Sequence, residues 1–179
     1  QKFDKTVFGS VDKPGSDFDN FAAITAQSLA SDPYAGLVAA DTDIAINGGI
    51  LNGFVLAPQG KGVLLGATDQ DKRPLFINNV AEGAIPMILG ARTEISKGAY
   101  VSGSPQTVGF AGDWTQALYG IVEGVKIGFS SDASLDLGNG TTINLFQRDM
   151  FAVRAEIEIG FRADVTVFNK LTATGVPTL

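Results

Sequence analysis

The chain has 179 residues, of which 45% are hydrophobic, so it is long enough to bury a core of its own. Its formal net charge is -6, and an acidic surface repels phosphate groups, which disfavours direct binding of DNA or RNA. The sequence has no cysteine and no histidine, which excludes thiol chemistry, thiolate metal sites and a Ser-His-Asp triad within this chain. Glycine, proline or charge interrupts every apolar run within about ten residues, so no membrane span is expected.

Two helices are expected in the first third of the chain. From Asp19 to Ala30, apolar residues recur with helical spacing, and an aspartate stands where a cap is needed. A second helix is expected to begin at Asp32-Pro33, with the aspartate as N-cap and the proline in the first turn. It should end at Asn47-Gly48-Gly49, because glycine and asparagine adopt the left-handed conformation at low cost. Residues 1–18 are rich in turn formers and predict a loop.

Short strands and one short helix are expected in the middle third. Gly53 to Leu56 predicts a buried strand, and Pro58 opens a short helix after it. A loop region is expected from Asp69 to Glu82. Ile85 to Leu89 is apolar but contains Pro86, so it is at most an edge strand. Residues 99–101 and 107–111 are further strand candidates.

The last third carries the clearest strand pattern. Apolar residues alternate from Leu118 to Phe129, and the alternation from Phe151 to Phe161 is nearly complete. At about 3.3 Å per residue, the second segment predicts a half-buried strand roughly 35 Å long. Such a strand needs long partners, so an antiparallel sheet with one wet face is expected. Gly138-Asn139-Gly140 predicts a turn before it. The whole pattern predicts a mixed α+β fold.

Three motifs have the composition of a ligand site but not its full pattern. Asp41-Thr42-Asp43 and Asp69-Gln70-Asp71 place carboxylates two apart, yet neither is followed by the glycine and glutamate of a calcium loop. Gly60-Lys61-Gly62 lacks the spacing and the hydroxyl residue of a phosphate loop. Solvated helix faces and turns are expected at all three. Asn139-Gly140-Thr141 matches a glycosylation triplet, but Asn-Gly is also the strongest hairpin signal, and a turn is expected.

Charged and aromatic residues in three other places also favour structural roles. Glu156 and Glu158 lie about 7 Å apart on one strand face, close to the spacing of paired glycosidase carboxylates. Arginines share that face, so ion pairs within the sheet or between subunits are expected instead of catalysis. Asp113-Trp114 holds the only tryptophan and is interpreted as a packed anchor, with ligand stacking as the alternative. Lys72-Arg73-Pro74 predicts an exposed turn or subunit contact, with an anion site as the alternative. No residue is assigned a catalytic, cofactor-binding or metal-binding role.

Six segments, in order along the chain, share a pattern with one protein family. The segments are Asn52–Pro58, Asp69–Phe76, Gly90–Ile95, Gly109–Ala117, Asn144–Glu156 and Phe168–Thr172. They resemble the major capsid proteins of tailed phages with the Hong Kong 97-type fold. The second is similar to the family's D-x-x-G-R-P-L-F turn with Lys72 in place of glycine, and the fourth to its G-D-W-S-Q-A stretch with Thr115 in place of serine. The family-like structural residues are Arg73, Pro74, Gly112, Asp113, Trp114 and Arg154.

The resemblance implies a division into two lobes. Residues 1–19 would end a segment of the peripheral lobe. Residues 20–145 would form the axial lobe, which gathers around the five- and six-fold axes. Residues 146–179 would carry the C-terminal strand back to the peripheral lobe. Family members carry an N-terminal arm, an extended loop and a spine helix upstream, and residues 1–8 would correspond to the end of that spine.

The function that the resemblance implies is structural. The protein would be a non-enzymatic subunit of an icosahedral shell around the phage genome, and the full-length protein would form pentamers and hexamers of itself. It would lie in the virion after assembly in the bacterial cytoplasm, with scaffold, portal or decoration proteins as further candidate partners. No cofactor, specific nucleic acid or membrane is implied. Two alternatives stay open: an encapsulin-type compartment shell protein, and a non-capsid small-molecule-binding or enzymatic α+β domain with a pocket of convergent carboxylates.

Overall fold

The computed structural model describes residues 2–69, 71–76, 87–138 and 140–177. The chain divides into a larger compact unit, residues 1–118 with 161–179, and a smaller one, residues 119–160. The helices are α1 (Lys2–Val7), α2 (Pro33–Ile46) and α3 (Pro58–Leu65). The strands are β1 (Thr25–Ser28), β2 (Gly53–Leu56), β3 (Met87–Ile88), β4 (Ala91–Ile95), β5 (Gln106–Gly112), β6 (Ala117–Ser130), β7 (Ser134–Asp136), β8 (Thr142–Asn144), β9 (Ala152–Ala163) and β10 (Phe168–Ala173).

α2 forms where the capping pattern predicts it. The Asp32 side chain accepts a hydrogen bond from the backbone N–H of Ala35 at 3.1 Å, and Pro33 occupies the first turn. The helix ends at Asn47, followed by Gly48 with φ +82°. The predicted strand at β2 and the short helix α3 are confirmed as well.

Six strands of the larger unit form one mixed sheet in the order β1-β10-β5-β2-β4-β3. β10, the last strand in sequence, pairs in parallel with β1 and antiparallel with β5. β2 is antiparallel to β5 and parallel to β4. β3 lies at the end of this order, as the edge-strand prediction for 85–89 requires, although residues 85 and 86 lie outside the described residues. The predicted strand at 107–111 is confirmed as β5.

Both faces of this sheet are covered on the side of β10 and β5. On one face lies α2, whose Ala40 carbonyl accepts a hydrogen bond from the Asn169 side chain at 3.4 Å. On the other face, rings from the N-terminal segment stack on strand residues. Phe8 stacks on Phe110 with 4.8 Å between ring centroids, and Phe21 stacks on Phe168 at 4.6 Å. The core therefore joins the N-terminal segment to the last strand.

The helix expected from Asp19 to Ala30 is wrong. Residues 25–28 of that segment form β1, because their backbone pairs with β10, a strand near the other end of the chain. Phe21 and Leu29 are buried as the apolar spacing predicts, but Phe21 lies in a bend before β1 and Leu29 directly follows β1. The loop expected over residues 1–18 is also wrong in part, since residues 2–7 form α1.

The strand candidate at residues 99–101 is wrong, because a 3-10 turn occupies Lys97–Ala99. The Ser96 side chain caps this turn by accepting a hydrogen bond from the backbone N–H of Gly98 at 3.2 Å. Gly98 packs against Asp4, where a Cβ would lie 2.5 Å from the aspartate Cβ. Val101 makes only an isolated bridge to Thr107. Local capping and packing against α1 thus override the strand propensity of this short segment.

The smaller unit is built from a two-stranded sheet of β6 and β9 and a second one of β7 and β8. Both long strands lie where the alternation predicts them. The β7–β8 pair flanks the predicted turn at Gly138-Asn139-Gly140, of which Asn139 lies outside the described residues. The half-buried face expected for β9 is wrong: Val153 is 54% exposed and Ile157 is 51% exposed. Two strands alone have no second layer to cover them.

The assignment of residues 1–19, 20–145 and 146–179 to peripheral and axial lobes stays a prediction. In the larger unit, β10 belongs to the six-stranded sheet. Within the described ranges, no helix combines the length and apolar character needed to cross a bilayer.

Candidate functional site

Gly112, Asp113 and Trp114 lie at the end of β5, where Asp113 organises a cluster of hydrogen bonds. One Asp113 carboxylate oxygen accepts from the Asn52 side-chain amide at 2.7 Å and from the backbone N–H of Thr115 at 3.1 Å. The hydroxyl of Thr115 donates to the same oxygen. The other oxygen accepts from the backbone N–H of Ile50 at 3.1 Å. Asp113 therefore ties the start of β2 to the 3-10 turn that follows β5.

The hydrogen bonds to Asp113 change its acidity. The pKa of the Asp113 carboxyl is lowered, first by the bond from the Thr115 side chain and then by the backbone bond from Ile50. Burial acts in the opposite direction, since only 6% of Asp113 is exposed, but the donors outweigh it. The carboxylate is charged and fully engaged, which suits a structural anchor and leaves no proton to transfer near neutral pH.

Trp114 completes the cluster by packing. Its backbone N–H donates to the Asn52 side-chain oxygen at 2.9 Å, and its indole Nε1–H donates to the Gly53 carbonyl at 3.0 Å. The indole meets Phe168 edge to face with 5.2 Å between centroids and meets Phe21 in the same way at 6.0 Å. The tryptophan thus joins β2 to the aromatic core, which supports the anchor interpretation over ligand stacking.

Arg73 and Pro74 lie in a separate turn that is closed by aspartates. Asp69 accepts hydrogen bonds from the backbone N–H and the guanidinium of Arg73 at 2.8 and 3.0 Å. Asp71 pairs with the same guanidinium, and Pro74 bridges to Thr68. Gln70 of the predicted Asp69-Gln70-Asp71 motif lies outside the described residues. The Arg73 side chain is 72% exposed, so the turn is a surface feature whose charges already pair internally.

Lys72, which stands where the family-like turn has glycine, has an unusual backbone conformation. Its φ is +63°, in the left-handed region that glycine occupies readily and other residues rarely do. The family-like pattern has glycine at this position. Lys72 therefore adopts a backbone conformation that glycine would favour.

Arg154 lies in β9 of the smaller unit, whereas the other family-like residues belong to the larger unit. It pairs with Glu156 at 2.8 Å, and its side chain is 76% exposed. Glu158 lines a small groove with Glu156 and with Glu123 and Lys126 of β6. Lys126 pairs with Glu123. The interleaved charges support an ion-paired surface and give no isolated pair of carboxylates for acid–base work.

The other candidate motifs stay apart. Asp41 and Asp43 belong to α2, and Gly60 and Lys61 belong to α3, where Gly60 packs against the Val108 carbonyl. Across the described ranges, no group of three or more acidic side chains is arranged to hold a metal ion. Asn139 of the Asn139-Gly140-Thr141 triplet lies outside the described residues.

The smaller unit carries a broad set of exposed apolar side chains on β6, on β9 and at the residue before β9. These residues, each more than half exposed, are Tyr119, Ile121, Val122, Val125, Ile127, Phe129, Phe151, Val153 and Ile157. We call this set the apolar ribbon. Soluble monomers rarely expose large apolar surfaces, and such surfaces mark sites of association. The alternation in sequence predicted the apolar positions but not that they would be uncovered.

Sequence reasoning did not identify Asn52 and Thr115 as partners of Asp113. In the sequence, Asn52 is distinguished only as the start of a family-like segment. One signal is present, because Asp113 and Asp164 both stand two residues before a threonine, and both aspartates cap a 3-10 turn. Only the Asp113 side chain reaches a distant segment, the residues just before β2, and the local sequence does not reveal that contact.

Comparison with known proteins adds relatives in sequence and in structure, although no family model matches the chain. The probable major capsid protein gp17 of Mycobacterium phage D29 is 30% identical over 95% of this chain and 57% of its own length. Its namesake from Mycobacterium phage L5 is 36% identical over 62% of this chain and 36% of its own length. The chain thus spans little more than half of the first relative and about a third of the second.

Solved structures show the same fold at lower identity. A structure from Gordonia phage Cozz matches 97% of the chain and 59% of its own with a TM-score of 0.76 at 19% identity. A structure from Mycobacterium phage Adephagia covers 99% of this chain and 62% of its own length, with a TM-score of 0.74 at 20% identity. The match to the capsid of an empty GTA particle covers 91% of this chain and 57% of the capsid chain, with a TM-score of 0.59. By sequence the chain is similar to these phage major capsid proteins over nearly its whole length, and its fold is that of the phage structures, the Hong Kong 97-type fold.

Proposed function

We propose that the protein is a structural subunit of an icosahedral phage shell, which assembles from copies of itself and encloses the genome. One observation carries this proposal. The similarity to a major capsid protein extends over 95% of the chain, so it includes both compact units and not one shared motif.

The apolar ribbon supports the proposal on physical grounds. Val125 and Ile127 are 62% and 61% exposed on a two-stranded sheet, which is marginally stable in water without a packing partner. Burying apolar side chains contributes about 1.5–3 kcal/mol for each one that is fully covered. A surface of this kind is costly in a free monomer and useful in a subunit that is covered by other protein.

A non-enzymatic role is part of the proposal. The sequence provides no histidine or cysteine, and Asp113, the most buried carboxylate among the described residues, accepts four hydrogen bonds and has a lowered pKa. Enzyme sites instead tend to hold titratable groups with pKa values near the working pH. Location in the virion, assembly in the host cytoplasm, and contacts with scaffold, portal or decoration proteins belong to the same proposal.

An encapsulin-type compartment shell is the second candidate, because it would use the same fold. The curated relatives described above are phage proteins, which favours the phage shell. Co-purification separates the two: a compartment shell would carry an enzyme cargo, whereas a phage shell would carry a portal protein.

The proposal is tested by comparing residues 1–179 alone with the product of the complete gene. Both are expressed, analysed by sizing chromatography and imaged in negative stain. We expect the complete product to form closed shells. Failure of that product to assemble at high concentration, even with the other virion proteins supplied, would remove the main support for a shell subunit.

A further inference from the structure

The outward face of α2 is apolar although it faces solvent. Its outward side chains are Ala35, Val38, Ala39, Thr42, Ala45 and Ile46. Ile46 is 78% exposed, whereas Leu37 and Ile44 on the opposite side of the helix are fully buried. The Thr42 hydroxyl donates to the Val38 carbonyl at 2.9 Å, so the one polar side chain of this face is satisfied within the helix. Exposed apolar surfaces of this kind often mark sites where another protein packs.

The charges around this face indicate what kind of surface could cover it. Asp41 and Asp43 flank it, and no lysine or arginine occurs between Lys13 and Lys61. Packing α2 against α2 of another copy would place aspartates near aspartates without a cation between them, which is unfavourable. A complementary surface would be apolar and would carry a basic group at its rim.

The larger unit has such a surface on the other side of its sheet. A groove of about 410 Å³ lies over β2 and β4, with Gly53 and Val55 on its floor and Trp114 at one wall. Arg92 and Glu94 form its rim and pair with each other at 2.8 Å. Their side chains are 81% and 60% exposed, so this pair contributes little to stability, and the guanidinium can take another partner.

A copy cannot fill its own groove. The Asn169 side chain faces α2, and its register partner across the sheet is Ala111, which in turn pairs with Phe54. Gly53 and Val55 point to the opposite face, because side chains alternate along a strand. The helix face and the groove therefore lie on opposite sides of one sheet.

We propose that α2 of one copy packs its outward face into the groove over β2 and β4 of a neighbouring copy, with Asp41 beside Arg92. This inference rests on the proposed function, since it requires copies that assemble. The contact joins two different surfaces, and such head-to-tail contacts close into rings when the rotation between copies allows it. It would supply one of the repeated contacts of a shell.

Charge reversal tests the contact in the product of the complete gene. Arg92→Glu and Asp41→Arg should each weaken the contact by about tenfold or more and reduce the yield of particles. The double variant should restore the yield, because the pair is then reversed. Lys13→Glu, which changes the net charge as Arg92→Glu does, serves as a control and should assemble normally. Normal assembly of both single variants, or a double variant no better than the singles, overturns the inference. If the unaltered protein does not assemble, the proposed function itself fails.

Disulfide trapping gives an independent test, because the sequence has no cysteine. Copies carrying both Ile46→Cys and Met87→Cys should form a ladder of covalent oligomers in oxidised particles, since residue 87 adjoins the groove rim by pairing with Arg92. Ile46→Cys alone should remain monomeric on a denaturing gel. Dimers from that single variant would reveal an α2–α2 contact and contradict the proposal. The proposal is also contradicted if Val38→Cys, Thr42→Cys and Ile46→Cys, each combined with Met87→Cys, all give intact particles without a ladder of covalent oligomers.

Discussion

The indole of Trp114 lies against Gly53 and donates its N–H to the Gly53 carbonyl at 3.0 Å. A Cβ at position 53 would lie 2.6 Å from Trp114 Cδ1. Gly53 pairs across the sheet with Gly112, where a Cβ would lie 2.1 Å from Phe168 Cδ1. Two facing glycines thus make room for two rings that meet edge to face. Two segments that resemble the capsid family in sequence therefore form one packing unit.

Gly53→Ala should destabilise the protein, because the added methyl cannot fit without moving the indole. Overpacking of this kind costs about 1–3 kcal/mol of unfolding free energy. Gly62→Ala is the matched control: no atom lies within 4 Å of its added Cβ, and alanine favours the helix α3 by about 0.5–1 kcal/mol. Urea unfolding followed by the fluorescence of the single tryptophan measures both. Equal stability of the two variants would show that Trp114 is not fixed over Gly53.

Asp113→Asn keeps the shape of the side chain but replaces one accepting oxygen with a donor. That donor would face the N–H of Ile50 or the donors from Asn52 and Thr115. An unsatisfied buried donor costs about 1–3 kcal/mol, so the unfolding free energy should fall by that amount. Asp164→Asn is the control, since the hydrogen bonds that its side chain accepts come from Thr166 and the residue is exposed. Its effect on the same urea melts should be clearly smaller. A larger loss at Asp164 would contradict the anchor role of Asp113.

The lowered pKa of Asp113 also predicts a pH dependence. Its pKa in the folded protein lies below the ordinary value of 3.8, so the folded state holds the proton less tightly than the unfolded state. The resulting stabilisation is present above that ordinary value and is lost as pH falls through the lower, folded pKa. Asp164 shifts in the same direction because of its bonds from Thr166. Urea melts between about pH 2.5 and 6 should therefore show a shallower loss in Asp113→Asn than in the unaltered protein. Parallel curves would exclude this contribution.

Lys72→Gly should stabilise the turn, since lysine holds a left-handed φ there at a cost of about 1 kcal/mol. The greater freedom of glycine in the unfolded chain offsets part of the gain, so the expected increase in unfolding free energy is small and positive. Lys61→Gly, inside α3, should have the opposite sign and cost about 1 kcal/mol. Thermal unfolding of both variants measures the difference. A destabilised Lys72→Gly would mean that the lysine side chain makes a contact worth more than the strain.

The double substitution Val125→Asp and Ile157→Asp tests the role of the apolar ribbon. Both side chains are more than half exposed, so the unfolding free energy of the unassembled protein should change by no more than about 0.5 kcal/mol per site. Assembly of the complete gene's product should be lost, because charges would enter a surface that must be covered. Glu158→Ser is the control on the polar side of β9 and should assemble. If the unfolding free energy of the unassembled protein fell by several kcal/mol, the apolar ribbon would instead be part of the core of the single subunit.

Local signals in the sequence identified the elements that depend on local chemistry. The Asp32-Pro33 cap and the glycines after Asn47 define α2, and the alternation of β6 and β9 is visible in the residues themselves. β1 could not be predicted in the same way, because Thr25–Ser28 become a strand only by pairing with β10. Spacing that fits one helical face also fits a turn followed by a strand, and tertiary pairing decides between them.

The anchor cluster was predictable only in part. Gly112, Asp113 and Trp114 were noted because they resemble a family motif, but their partner Asn52 lies about sixty residues earlier in the chain. Such a contact is set by the order of strands, which no local pattern contains. The exposure of the apolar ribbon was missed for a similar reason, since alternation predicts which residues are apolar and not which layer covers them.

A symmetric cryo-EM reconstruction of particles assembled from the complete gene's product tests the shell role most directly. We predict a closed wall in which the six-stranded sheet of residues 2–118 and 161–177 repeats around the five-fold axes, with the apolar ribbon covered by protein. A wall built from another protein, or particles in which this chain is absent from the repeating unit, would contradict the proposed role.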